Sequence, residues 1–154
     1  MAATIDWVLL AYRMPRDPST ARVGVWRKLR RLGVVQLVDG LVALPADART
    51  REQLEWLAEE VTEAGGEATV WLGRPSTRAQ ERTLAERMAE VVRTDYRAVI
   101  AAATEAGDER RARTVARLRR ELHRIGQRDF FPPAERDVAR QAVDDLAPAV
   151  EVPG

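Results

Sequence analysis

No cysteine occurs among the 154 residues. This excludes disulfides and thiolate metal sites, and it makes a reducing cytoplasm the expected setting. Histidine occurs once, at His123; no cluster therefore has metal-ligand spacing, and neither a metal nor another cofactor is expected. Glycine-rich phosphate loops are missing, since Gly65-Gly66 precedes a strand rather than a helix. No apolar run approaches the ~20 residues that a membrane span needs. The start, Met1 to Trp7, has neither the basic residues nor the long apolar stretch of a signal peptide, so no membrane partner is expected. Lys28 is the only lysine, which leaves almost all the positive charge on arginine.

What is present is ordinary globular material. Hydrophobic residues make up 45% of the chain, enough for a real core at this length. The net charge of +1 hides an uneven distribution. Residues 13–31 carry seven bases against Asp17 alone, and residues 47–67 carry seven acids against Arg49 and Arg51. Residues 110–128 carry eight arginines against Glu121. Segments of opposite sign provide faces of opposite potential, suited to steering a partner or to docking one segment on another.

The first half reads as βαββαβ. A strand over residues 6–12 is apolar enough at Trp7, Val8, Leu9 and Leu10 to be central and buried on both faces. A helix runs from Ser19, read as its N-cap, to Leu32, with Gly33 as the stop. Residues 34–38 and 41–44 are strands joined by Asp39-Gly40, a strong two-residue hairpin signal. A second helix begins at Thr50, with Gln53 as capping-box partner, and ends at Gly65-Gly66. A fourth strand covers 68–72. The order predicts an α+β, ferredoxin-like sandwich. One tryptophan falls on each of four elements: Trp7, Trp26, Trp56 and Trp71. As a set they read as core; Trp56 alone points away from the apolar stripe, among glutamates, and asks for cover from another segment or subunit.

The second half is helical. Leu84, Met88, Val91, Val92, Tyr96, Val99 and Ile100 recur at helical spacing across residues 77–106. Gly107-Asp108 breaks the pattern, with Asp108 read as a new N-cap. Val115, Leu118, Leu122 and Ile125 form the seam of the next helix, giving an antiparallel helical hairpin. Asp129-Phe130-Phe131-Pro132-Pro133 breaks the chain again before a last helix over 134–146. The expected organisation is a ferredoxin-like domain over 1–75, with a helical extension over 76–154 packed on it.

Several short segments in fixed order resemble the N-terminal domain of the chromate resistance protein family ChrB. They are Tyr12-Arg13-Met14-Pro15, Pro18-Ser19-Thr20-Ala21-Arg22-Val23, Trp26 through Gly33, Asp39-Gly40 and Leu44-Pro45, then Arg128-Asp129-Phe130-Phe131-Pro132. The resemblance implies a non-enzymatic regulator of chromate-efflux genes. The sandwich also looks similar to the Cas2-like domain of the PaaX transcriptional repressors, which implies a homodimer. Members of the ChrB family typically continue into a further C-terminal domain, whereas this sequence closes after Val152-Pro153; a standalone paralogue or a partner of a separate second half is the expectation.

The residues themselves leave three functions open. Arg110, Arg113, Arg117, Arg120 and Arg124 recur at spacings of three and four on the helix after Asp108, opposite its apolar seam. Arg27, Arg30 and Arg31 with Lys28 form a second basic face. Either stripe could follow the phosphates of DNA, or could be a solvated outer face. Neither helix lies in a recognisable DNA-reading motif. Arg22, placed by the helical wheel between Trp26 and Leu29 on the inward side, could join Arg13 and a helix N-terminus in holding an oxyanion such as chromate or sulfate. It could equally tether the helix to Asp17 or Asp39. The third reading is a Cas2-like metal-dependent nuclease using Asp6, which however stands before Trp7 rather than at the strand's far end. Ser19 and Ser76 read as caps without a nearby base, and His123 stands beside the seam, so no catalytic residue is assigned.

Overall fold

The computed structural model describes residues 5–147. Residues 1–4 and the closing Val152-Pro153, which carried the readings on a signal peptide and on the chain end, lie outside them. The elements are β1 (Trp7–Arg13), α1 (Ser19–Leu32), β2 (Val35–Val38), β3 (Leu41–Pro45), α2 (Ala48–Glu63), β4 (Glu67–Gly73), α3 (Arg78–Glu105), α4 (Arg111–Gln127) and α5 (Glu135–Leu146). The four strands form one antiparallel sheet in the order β2-β3-β1-β4. This is the ferredoxin-like arrangement expected from βαββαβ. The chain divides into two compact units, one up to Met88 and one from Ala89, so the first turns of α3 belong with the sheet.

In the first unit, the pattern of β1 explains the sheet. Val8 and Leu10 stand opposite Leu44 and Val42 of β3, and all four are fully buried. Together with Val25 and Leu29 of α1, and Leu54, Leu57 and Val61 of α2, they make up the buried apolar set on the helix side. Trp7, of opposite parity, is buried on the other face, where its indole Nε1 donates to Glu81 of α3 at 3.0 Å. The hairpin turn needs glycine for two reasons. Gly40 has φ +77, and a Cβ there would stand 2.6 Å from the Tyr12 carbonyl oxygen, close to where the Tyr12 N–H donates to the Gly40 carbonyl. Gly66 lets α2 return against β1, since a Cβ would come within 2.4 Å of the Arg13 carbonyl oxygen.

The caps differ from expectation. α1 takes Pro18 as its N-cap and makes Ser19 its first helical residue, with no side-chain cap bond. α2 starts two residues before Thr50. The Asp47 carboxylate accepts from the Thr50 N–H at 2.8 Å, and the Thr50 hydroxyl accepts from the Asp47 N–H at 2.9 Å. Asp47 wins because the buried Thr50 hydroxyl also donates to the Pro45 carbonyl at 2.7 Å, which fixes the strand-to-helix turn. Asp47→Ala should therefore lower stability by ~1 kcal/mol, read as a lower urea midpoint at unchanged slope. α3 is capped by Thr77 rather than Ser76: the Gln80 N–H donates to the Thr77 hydroxyl at 3.1 Å, and the Gln80 amide oxygen accepts from the Thr77 N–H at 3.2 Å.

The second unit has its own core. Val92, Tyr96, Val99 and Ala103 of α3 meet Val115, Leu118 and Ile125 of α4, and Ala139, Val143 and Leu146 of α5. Val91 is exposed despite its helical spacing, because the seam follows Val92, Tyr96 and Val99. At the α4–α5 corner the Tyr96 hydroxyl donates to Asp129 at 2.7 Å, and the Arg128 guanidinium donates to Asp95 at 3.0 Å. Arg93 pairs with Glu90 and with Glu135. Asp108 does not cap α4. Arg110 holds the N-cap position in the left-handed region at φ 63, and the exposed Asp108 carboxylate lies 3.7 Å from Arg111.

Candidate functional site

On α4, Arg113, Arg117, Arg120 and Arg124 all point outward while Val115, Leu118 and Ile125 are buried. Arg124 is drawn to Glu121 at 3.2 Å. Arg113, Arg117 and Arg120 make no ion pair among the described residues. Arg110 is exposed but belongs to the cap rather than to the helical stripe, since the left-handed residue takes it off the 3.6-residue period. The stripe is thus three uncompensated guanidinium groups over two turns, with a fourth held by its own neighbour.

On α1, Arg27, Arg30 and Arg31 are exposed, and Lys28 is held by Glu60 of α2 at 2.7 Å. Arg30 and Arg31 fall in the last turn, where the carbonyl end of the helix dipole favours cations. The expectation for Arg22 is corrected. Its side chain is exposed although it lies on the stripe of Val25 and Leu29, because it stands in the first turn of α1, where the buried positions have not yet begun; Trp26 is only half-buried. Arg13 ends β1 and is exposed too. Neither arginine makes an ion pair with Asp17 or Asp39 among the described residues.

Asp6 is occupied as a salt-bridge partner of Arg74, Nε to carboxylate at 2.6 Å. No group of three or more acidic or histidine side chains among the described residues is arranged to hold a metal ion. His123 is exposed, its ring nitrogen 3.3 Å from the Gln127 amide. No helix among the described residues is long and apolar enough to cross a membrane.

The sheet carries a feature that composition alone did not bring out. On the face of β1 away from α2, a hollow of about 890 Å³ lies beneath the first turns of α3. Its sheet-side residues follow from register: Leu9 is flanked by Ala43 and Trp71, and Ala11 by Leu41 and Thr69. Trp71 is 60% exposed rather than core, its indole N–H donating to Thr69 at 2.7 Å. Small residues at Ala11, Ala43 and Gly73 leave the space between the two tryptophans unfilled. Arg87 closes one side, donating to the Gln36 carbonyl at 2.6 Å. The signal in sequence was the alternation Thr69, Trp71, Gly73 along an edge strand, which places these side chains on the face opposite Ala68 and Val70.

Two ionisable groups are strongly placed by their surroundings. Burial, reinforced by the bond to Asp129 and by that carboxylate's charge, pushes the Tyr96 hydroxyl well above the ordinary tyrosine range. Burial and the charge of Asp39 raise Tyr12 as well.

A family model described as "Protein ChrB, N-terminal" matches residues 22–109. Protein ChrB of Cupriavidus metallidurans is 28% identical over 133 residues, which cover 82% of this chain and 40% of that protein. The chain thus corresponds to well under half the length of this curated relative. No solved structure matches.

Proposed function

The chain belongs to the ChrB N-terminal family, and from that premise we propose that it is a non-enzymatic regulatory protein of chromate resistance that contacts DNA through arginine-rich helices, α4 foremost. The observation that carries the reading is the outer face of α4. Arg113, Arg117 and Arg120 stand exposed on a rigid helix, opposite its buried seam, with no acid among the described residues to neutralise them. Charges spaced this way can follow a phosphate backbone, and each neutralised phosphate releases counterions. Such contacts position a protein on a duplex without reading its sequence.

A fluorescence-anisotropy titration tests this, using duplex DNA from upstream of the protein's own gene and a scrambled duplex of equal length. Binding should weaken steeply as salt rises. Affinity that is absent, or indifferent to salt, removes DNA from the function.

A two-fold homodimer belongs to the same proposal. Trp56 is 62% exposed among Glu52, Glu55 and Glu59, an unusual setting for an indole without a partner surface. Light scattering at micromolar concentration should give twice the 17.3 kDa chain mass, and Trp56→Ala should return the monomer. A monomeric parent contradicts the dimer; a dimer that survives Trp56→Ala places its interface elsewhere.

A further inference from the structure

We propose that the hollow on the open face of the sheet is a binding site for a flat organic anion, with its apolar body against Leu9 and Trp71 and its carboxylate on Arg87. Three observations converge. The volume, about 890 Å³, is that of a small-molecule site rather than a packing defect. Its walls are mostly apolar and aromatic, with Thr69, Ser76, Gln80 and Thr83 adding neutral polar groups, and the charged residues lining it are Arg74 and Arg87. Arg74 is already engaged by Asp6. Arg87 is anchored by a neutral carbonyl through one Nη, and no acid pairs with it among the described residues. Its charge is thus balanced by no neighbouring acid, and it has donors to spare at the edge of an apolar hollow. A guanidinium held in that way presents a fork suited to a carboxylate, while the exposed indole of Trp71 offers a stacking face.

The site lies wholly in the first unit and involves none of the α4 arginines, so its test requires no DNA. Naphthalene-2-carboxylate and its neutral carboxamide serve as probes against the full chain, followed by the indole N–H signals in a nitrogen-edited NMR spectrum. The carboxylate should shift the Trp71 indole and the amides of Leu9 and Ala11 saturably, leaving Trp56 in place. The carboxamide should bind roughly tenfold more weakly, as expected when one charge-assisted contact is lost. Arg87→Gln keeps a donor for the Gln36 carbonyl and should reduce carboxylate affinity to that of the carboxamide. Gly73→Val fills the hollow from β4, where an added Cβ meets nothing within 4 Å, and should abolish binding in a chain that still folds. Absence of saturable shifts at Trp71 overturns the site. Equal affinity for the two probes, or an Arg87→Gln variant that binds as the parent does, overturns the anion assignment even if Gly73→Val fails to fold.

Discussion

Replacing Arg113, Arg117 and Arg120 together by alanine should weaken DNA binding by roughly 100- to 1000-fold at about 0.1 M salt, since each phosphate contact contributes about 0.9 to the logarithmic salt slope. The slope itself should fall by about three, and this is the more diagnostic number. A lost base contact changes affinity for one sequence; lost phosphate contacts change the salt dependence for all sequences. The variant tests function cleanly because nothing in the fold depends on these side chains. All three are exposed, and the seam of α4 is buried on the opposite face at Val115, Leu118 and Ile125. Stability should stay within about 0.5 kcal/mol of the parent, the usual range for surface changes of this kind. An unchanged salt slope would take α4 out of the mechanism and leave α1, with Arg27, Arg30 and Arg31, as the remaining basic helix to test.

Tyr96→Phe should cost ~1–3 kcal/mol although it preserves the ring and opens no cavity. The cost arises at Asp129. One carboxylate oxygen accepts the Tyr96 hydroxyl at 2.7 Å, and the other is buried with no hydrogen-bond partner. Removing the hydroxyl leaves both oxygens short of donors in a poorly solvated corner. The double variant Tyr96→Phe with Asp129→Leu should therefore be less damaging than the two single losses added together, because removing both partners leaves nothing unsatisfied. Chemical denaturation of the four proteins gives the coupling directly; strict additivity would show that the bond contributes nothing.

The same pair makes the protein lose stability in alkali. Tyr96 has a folded-state pKa raised from the ordinary 10.0, chiefly by burial and then by its bond to Asp129. Above that ordinary value the unfolded chain loses the tyrosine proton while the folded chain keeps it. The unfolded state then binds fewer protons, and stability falls as pH rises. The contribution is intact below pH 10 and is lost as pH climbs toward the folded-state pKa, at up to about 1.4 kcal/mol per pH unit. Tyr12, raised by burial and by Asp39, adds a limb of the same sign. Tyr96→Phe should flatten the alkaline fall and leave the Tyr12 part. A denaturation series in which parent and variant fall equally would contradict it.

Much of this molecule was legible in its sequence because the relevant physics is local. The apolar run Trp7–Leu10, the Asp39-Gly40 turn, Gly33 as a helix stop and the period of Val92, Tyr96 and Val99 each depend on a few neighbouring residues. Together they determined the element order and hence the ferredoxin-like sheet. The stripe of α4 was legible for the same reason: a helix fixes which side chains share a face. What the sequence did not determine was decided by side-chain bonds and packing that the pattern of residue types does not display. Asp47 rather than Thr50 caps α2, because the Thr50 hydroxyl is committed to the Pro45 carbonyl. Arg22 lies outside although it shares the stripe of Val25 and Leu29, because burial of α1 begins only at Val25, a turn further on. Trp71 is exposed, because β4 is an edge strand and small neighbours at Ala11, Ala43 and Gly73 leave its face of the sheet unfilled. The Tyr96–Asp129 pair joins residues 33 positions apart. An amphipathic pattern states that a side chain has a preferred face. Only the packed partner decides whether that face is core, hollow or water.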